Sequence, residues 1–231
     1  MSSILITAMT CGDVDILQRF AKAFWWILTS ILRLTMNQAD IPEFRNQGFE
    51  VYEWRHASAI LRVDFPSEWK DICDVLLSTR VPESYVTVKG GGRSLIAQEH
   101  DAKFTARGWK KKRFKTEIKV DDATYASPTH EVDCYKNKIA LELEWSNKDP
   151  FFDRDLNNFR LLFDLRTAHV GIIVTKADDL REVFEQLGIW SKYGTTTTWI
   201  SKLLPRVEGG GGGGCPLLVF GITKERFDYG K

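Results

Sequence analysis

Apolar positions change their spacing several times along the chain, and each spacing selects an element. Glu50 to Ala59 and Ala59 to Phe65 carry short alternations of apolar and aromatic residues, a strand-like period. Ser67 to Thr79 places Trp69, Ile72, Cys73, Leu76 and Leu77 at helical intervals, with Pro66 at its start and Ser67 as the expected N-cap. Gly90 to Gly92 break the chain, and a helix is expected from about His100 to Gly108, closed by that glycine. Asp153 to Arg166 returns to helical spacing through Leu156, Phe159, Leu162 and Phe163, and Val170 to Thr175 reads as a buried strand. Asp178 to Leu187 and Thr198 to Val207 are further expected helices, and Pro216 to Thr223 is the closing strand. Before that strand, the six glycines Gly209 to Gly214 read as a flexible surface connection. The alternative is a loop that closes over a ligand, with Arg206 just ahead of it placed for a phosphate or base. This order of elements predicts an α/β (α+β) fold, a mixed sheet flanked by helices.

Near the N-terminus the pattern is apolar without a clear period. Phe20 to Met36 contains Trp25 and Trp26, but its uninterrupted part, Ala23 to Leu32, falls short of the roughly twenty residues a membrane span needs. Asp13 and Asp15 ahead of it, and no clean small-residue cleavage site after it, argue against a signal peptide. An amphipathic or core helix is the expectation, with a natural start at Met36 as the alternative.

Composition narrows the class. The 231 residues include 27% charged and 43% hydrophobic positions, eight Trp and fourteen Phe, which fits a compact globule with a packed core. A net charge of +1 means that any nucleic-acid contact must come from local clustering, such as Lys110, Lys111, Lys112 and Arg113. Cys11, Cys73, Cys134 and Cys215 are too scattered for a zinc site or a disulfide framework, and a cytoplasmic location is expected. His56, His100, His130 and His169 form no metal or nuclease motif.

The chemistry concentrates between residues 131 and 145, E-V-D-C-Y-K-N-K-I-A-L-E-L-E-W. Ile139, Leu141, Leu143 and Trp145 fall on one face of a strand, and Ala140, Glu142 and Glu144 on the other. With Asn137 and Lys138 as the central pair of a tight hairpin, Asp133 lies across from Glu142 and Glu131 across from Glu144. Side chains paired in this way have β-carbons about 4.5–5.5 Å apart. Carboxylates at that distance raise each other's pKa unless a cation sits between them. Magnesium, a hard cation that accepts a few carboxylates and keeps several waters, would resolve the conflict. Asp133 and Glu142 would be direct ligands, and the Leu143 carbonyl a further one. The pattern alone also fits the solvated face of an amphipathic hairpin.

The string D-C-Y-K-N-K-I-A-L-E-L-E-W-S-N, Asp133 to Asn147, resembles the active-site segment of the BglII/BstYI group of restriction endonucleases. That group has an Asp, a Glu nine residues on, and Gln or Glu two residues later, here Asp133, Glu142 and Glu144. Similar order recurs around G-G-R-S-L-I, G-W-K-K-K and P-L-L-V-F-G-I, so the likeness spans roughly residues 50 to 223. The resemblance implies a restriction-endonuclease-like core of the PD-(D/E)xK type and a homodimer that cleaves double-stranded DNA with Mg2+ at a short palindrome centred on GATC, leaving 5′-phosphate ends. Asp133, Glu142 and Glu144 would be catalytic. Glu144 stands where the wider superfamily has lysine; it would position or deprotonate the attacking water, or bind metal through water.

Ser146 and Asn147 occupy the place where the group makes base contacts, and Asn pairs well with adenine in the major groove. Asn147 as a cap of the helix near Pro150 is the competing reading. Lys110 to Arg113 would touch phosphates, fixing register without reading sequence. Residues 1–45 are then an N-terminal extension, and 46–231 the catalytic and DNA-binding domain, with no membrane contact. Two rivals stand beside this reading: a repair or mobile-element nuclease of the same superfamily, and a DNA-binding module that does not cleave.

Overall fold

The computed structural model describes residues 38–89, 92–126 and 129–230. The apolar segment Phe20 to Met36 lies outside the described residues. In chain order the elements are β1 (Phe49–Trp54), α1 (Ala57–Asp64), α2 (Pro66–Leu77), β2 (Val81–Pro82), α3 (Glu83–Thr87), α4 (Leu95–Thr105) and β3 (Lys110–Lys112). The exposed hairpin of β4 (Glu117–Val120) and β5 (Ala123–Ala126) follows, then β6 (Val132–Lys136), β7 (Ile139–Leu143), α5 (Phe151–Asp164) and β8 (Val170–Lys176). The chain continues through α6 (Leu180–Gln186), α7 (Trp190–Tyr193), α8 (Ile200–Glu208), β9 (Leu217–Ile222) and β10 (Phe227–Asp228).

Six strands form one mixed sheet in the order β1-β9-β8-β7-β6-β3. The central strands β7, β8 and β9 run parallel, while β1, β6 and β3 pair antiparallel with their neighbours. This is the expected mixed sheet flanked by helices. Strands buried on both faces carry apolar runs instead of alternation, and every residue of β7, β8 and β9 is buried.

Each face has its own cover. On one, Leu141, Leu143, Ile172, Val174, Leu218 and Phe220 pack with Leu61, Trp69 and Ile72 from α1 and α2 in the main hydrophobic core. Ile41 and Phe44 belong to this core, so packing reaches back before β1. On the other face lies α5, so close to β8 that a Cβ on Gly171 would stand 2.5 Å from Phe159 Cδ2. Glycine lets that helix settle on the sheet, which decides the fate of every side chain on the same face.

Four sequence expectations change. Residues 59 to 64 are helical, because Ala57 and Leu61 bury one face at an interval of four residues. Phe65, kept out of the helical region as a residue before proline usually is, separates the two helices and is the N-cap of α2, so Ser67 lies inside the first turn. The helix expected from His100 begins earlier, at Leu95, where the Ser94 side chain accepts from the Ala97 N–H. Finally, the glycine run is a packed turn and not a loose connection: Cβ atoms on Gly211 and Gly212 would meet Leu156 at 3.1 Å and Leu217 at 2.6 Å.

Candidate active site

The site begins with the hairpin of β6 and β7. Asn137 and Lys138 both adopt positive φ, 44° and 68°, the geometry of a two-residue turn that matches strand twist. Lys136 therefore pairs with Ile139, Tyr135 with Ala140 and Cys134 with Leu141. Continued by one residue, this register sets Asp133 opposite Glu142, and the Asp133 N–H donates to Glu142 Oε2 at 3.3 Å. Two contacts from α2 hold the hairpin tip: Asn137 Nδ2 donates to Glu68 Oε1 at 2.7 Å, and Lys136 Nζ to Asp71 Oδ2 at 2.7 Å.

Glu142 and Glu144 share the face that α5 covers, and each is only 1% exposed. An acidic strand face open to water is thereby excluded for these two. Beside them α5 adds Asp155, fully buried, and Arg154, whose Nη2 donates to Asp155 Oδ1 at 2.8 Å and to Glu144 Oε1 at 3.3 Å. Asn147 Nδ2 donates to Glu144 Oε2 at 2.8 Å. Asp155 lies beside Glu144, and the two carboxyls influence each other's affinity for a proton.

Burial dominates the electrostatics. Desolvation, then the charges of Asp155 and Asp133, push the Glu142 carboxyl well above the usual carboxylate range. Desolvation and Asp155 raise Glu144 to about 9, although Asn147 and Arg154 oppose this. Asp155 is raised as well, chiefly by burial. A cluster that must hold protons to stay buried is a cluster that a cation would relieve. One atom makes the point: Glu142 Oε1 is buried with no hydrogen-bond partner among the described residues, a costly condition for a carboxylate oxygen.

The fold and this cluster agree with a known family. The restriction endonuclease BglII/BglIII family matches residues 49–222. The chain belongs to that family. No curated protein sequence matches it. Membership makes the protein a restriction endonuclease, a nuclease that binds and cuts DNA.

The remaining candidate residues of the endonuclease fall into three places. Leu143, Ser146 and Asn147, with Trp145, form one wall of a polar pocket of about 250 Å3, whose other wall is Gly92, Arg93, Ser94 and Ala97. Asn147 does not cap α5, whose N-cap is Pro150. The Asn147 side chain is turned back to Glu144, and its carbonyl accepts from the Thr198 N–H at 3.0 Å. Lys110, Lys111 and Lys112 are the exposed residues of β3, the last strand of the sheet. Lysines there also deter pairing with another sheet edge. Lys111 Nζ lies 3.5 Å from Asp101 Oδ2, Lys112 stands over the Phe114 ring, and Arg113 is exposed. Arg206 is on α8, where Nε donates to Asp153 Oδ1 at 2.9 Å and Nη1 to the Lys202 carbonyl at 2.6 Å. The bond to Asp153 ties α8 to the first turn of α5.

Sequence reasoning missed Asp155, Arg154, Arg93 and Lys176. Asp155 carries a readable signal, since it sits on the apolar stripe of its helix between Phe152 and Phe159. Lys176 carries one too, at the end of the apolar run of β8 on the same face as Ile172 and Val174. It is fully buried, donates to the Trp145 carbonyl, and faces the rings of Trp145, Tyr193 and Trp199. Through that carbonyl it braces the segment leading to Ser146 and Asn147.

Magnesium suits this donor set. Among the described residues no three side chains of His, Cys, Asp or Glu form a metal-holding group. Magnesium does not require one, because it binds through one or two carboxylates and keeps water for the rest. Asp133 and Glu142 supply two, and Glu142 Oε1 has no competing hydrogen bond among the described residues.

Proposed function

We propose that this restriction endonuclease is a type II enzyme that cuts double-stranded DNA at a short palindrome, centred on GATC, by magnesium-assisted hydrolysis that leaves 5′-phosphate ends. The observation that carries this reading is the opposition of Asp133 and a buried Glu142 with an unpartnered oxygen, on a chain of this family.

Asp133 and Glu142 would hold the ion, with the Leu143 carbonyl as a further oxygen donor. When bound, magnesium makes water a better nucleophile and offsets charge on the attacked phosphate. The protein's own residues do the rest. Glu144 lies at the strand end beside Asp155 and holds the Asn147 amide, which fixes the segment that meets the bases. Ser146 and Asn147 read base edges from the pocket wall. Lys110, Lys111, Lys112 and Arg113 set the protein on the phosphates, and Arg206 serves mainly to lock α8 against α5. A palindrome cut on both strands calls for a two-fold homodimer, each protomer cutting one strand.

Unmethylated plasmid incubated with magnesium should give discrete bands, lost on chelation and with Glu142→Ala. Sequencing of the cut ends then gives the site. A protein that binds DNA but cuts under no divalent cation would overturn the proposal, and a smear or a preference for branched DNA would point to a nuclease that reads structure.

A further inference from the structure

Arg93 stands at the meeting point of the carboxylate pair and the pocket. Its Nη2 donates to Asp101 Oδ1 at 2.7 Å and to Asp133 Oδ2 at 3.0 Å, so both hydrogens of that nitrogen are engaged. Among the described residues neither Nη1 nor Nε makes a hydrogen bond. The same side chain lines the polar pocket opposite Ser146 and Asn147, and is one-third exposed there. Immediately after it, Ser94 caps the eleven-residue helix α4, whose free N–H groups add positive potential at that end.

We infer that Arg93 is a phosphate-contacting residue of the active site, held by Asp133 in the free protein and transferred to a DNA phosphate oxygen when substrate and metal arrive. The inference rests on the reading of Asp133 and Glu142 as the metal pair. Charge explains the exchange. Arg93 lies between two carboxylates, and Lys111 approaches the outer one, so the four groups nearly balance. Once a divalent cation takes Asp133, one N–H of Nη2 is released and the guanidinium keeps only Asp101. An arginine with three N–H groups directed to no acceptor among the described residues matches the paired oxygens of a phosphate, which a lysine would meet only as a point charge. Asp101 then holds the fork in place, and Lys111 joins the phosphate-binding strand β3 to the reacting centre.

The test uses the full chain and a duplex carrying the mapped cleavage site. Single-turnover cleavage is measured across a magnesium series, and binding is measured separately in calcium. Arg93→Ala should slow cleavage about a hundredfold at saturating magnesium, the effect of losing one charge-stabilising donor. Binding in calcium should weaken less than tenfold, and Arg93→Lys should fall between alanine and wild type in rate. Arg93→Gln, similar in size, provides the neutral variant should alanine fail to fold by circular dichroism. If Arg93 serves only to hold Asp133, high magnesium restores the wild-type rate in the neutral variants, and that result overturns the inference. A wild-type protein that cuts, loses cutting with Glu142→Ala and keeps it with Arg93→Gln removes Arg93 alone. A wild-type protein that never cuts removes both readings.

Discussion

Glu144→Gln should make the metal-free protein more stable at neutral pH and remove much of its pH dependence. Glu144 is 1% exposed, and burial beside Asp155 raises it to about 9 from the ordinary 4.5. The sign follows from proton counting. Because the folded pKa lies above the unfolded one, the stability it contributes is complete below pH 4.5 and declines as pH rises toward 9. At pH 7.5 the unfolded carboxyl has ionised and the folded one has not. Three pH units at about 1.4 kcal/mol each give roughly 4 kcal/mol lost relative to acid pH. Glutamine does not titrate. Its carbonyl can still accept from Asn147, and its amide, which meets Arg154 in place of Oε1, carries no charge to desolvate. Urea unfolding in EDTA between pH 4.5 and 8.5 is the assay, with the stability of the variant relative to wild type rising by about 4 kcal/mol from pH 4.5 to pH 7.5. Parallel curves for the two proteins would show that Glu144 does not hold its proton in the fold, and the electrostatic account of the cluster would be wrong. Magnesium adds a second arm. It should stabilise both proteins, by about 2.7 kcal/mol at a hundred times its dissociation constant, if Asp133 and Glu142 suffice to bind it.

Other changes probe the surroundings of the cluster. Gly171→Ala would drive a methyl into Phe159, and a cost of about 1–3 kcal/mol is expected for such overpacking, read as a lower melting temperature; an unchanged one would mean that α5 can move off the sheet. Alanine at Lys110, Lys111, Lys112 and Arg113 together should make the log–log salt dependence of DNA binding shallower, by up to about 4 in slope. Cleavage position should stay the same, and an unaltered slope would remove β3 from the DNA interface. Lys176 has its pKa lowered well below the usual lysine range, by burial first. The unfolded chain therefore binds a proton that the folded one does not, the contribution of Lys176 to stability rises from neutral pH toward about 10, and Lys176→Met should remove that contribution in thermal melts.

How far the sequence could be read depended on the range of the interactions involved. The β6–β7 hairpin is specified locally, by Asn137 and Lys138 at positive φ and by alternation on β7, so its register and the opposition of Asp133 to Glu142 were legible. The apolar runs of β8 and β9 were legible because a strand buried on both faces needs no partner to be recognised. Residues 59 to 65 were not, since the run is too short for one period to exclude another. Composition misled at Gly209 to Gly214, where Leu156 and Leu217 crowd the positions of Gly211 and Gly212. Within the site, residue identity was visible but environment was not. Alternation placed Glu142 and Glu144 together, yet whether that face meets water or a helix is decided by α5, and α5 is admitted by a glycine on a different strand. Asp155 and Arg93 reach the carboxylates from outside the hairpin, Arg93 across forty residues of sequence. The acidic pattern supplies the proposed ligands. The groups that set their environment, the Asp155 carboxyl beneath and an arginine beside them, come from tertiary packing, so the chemistry of the cluster belongs to the fold as much as to the strand that displays it.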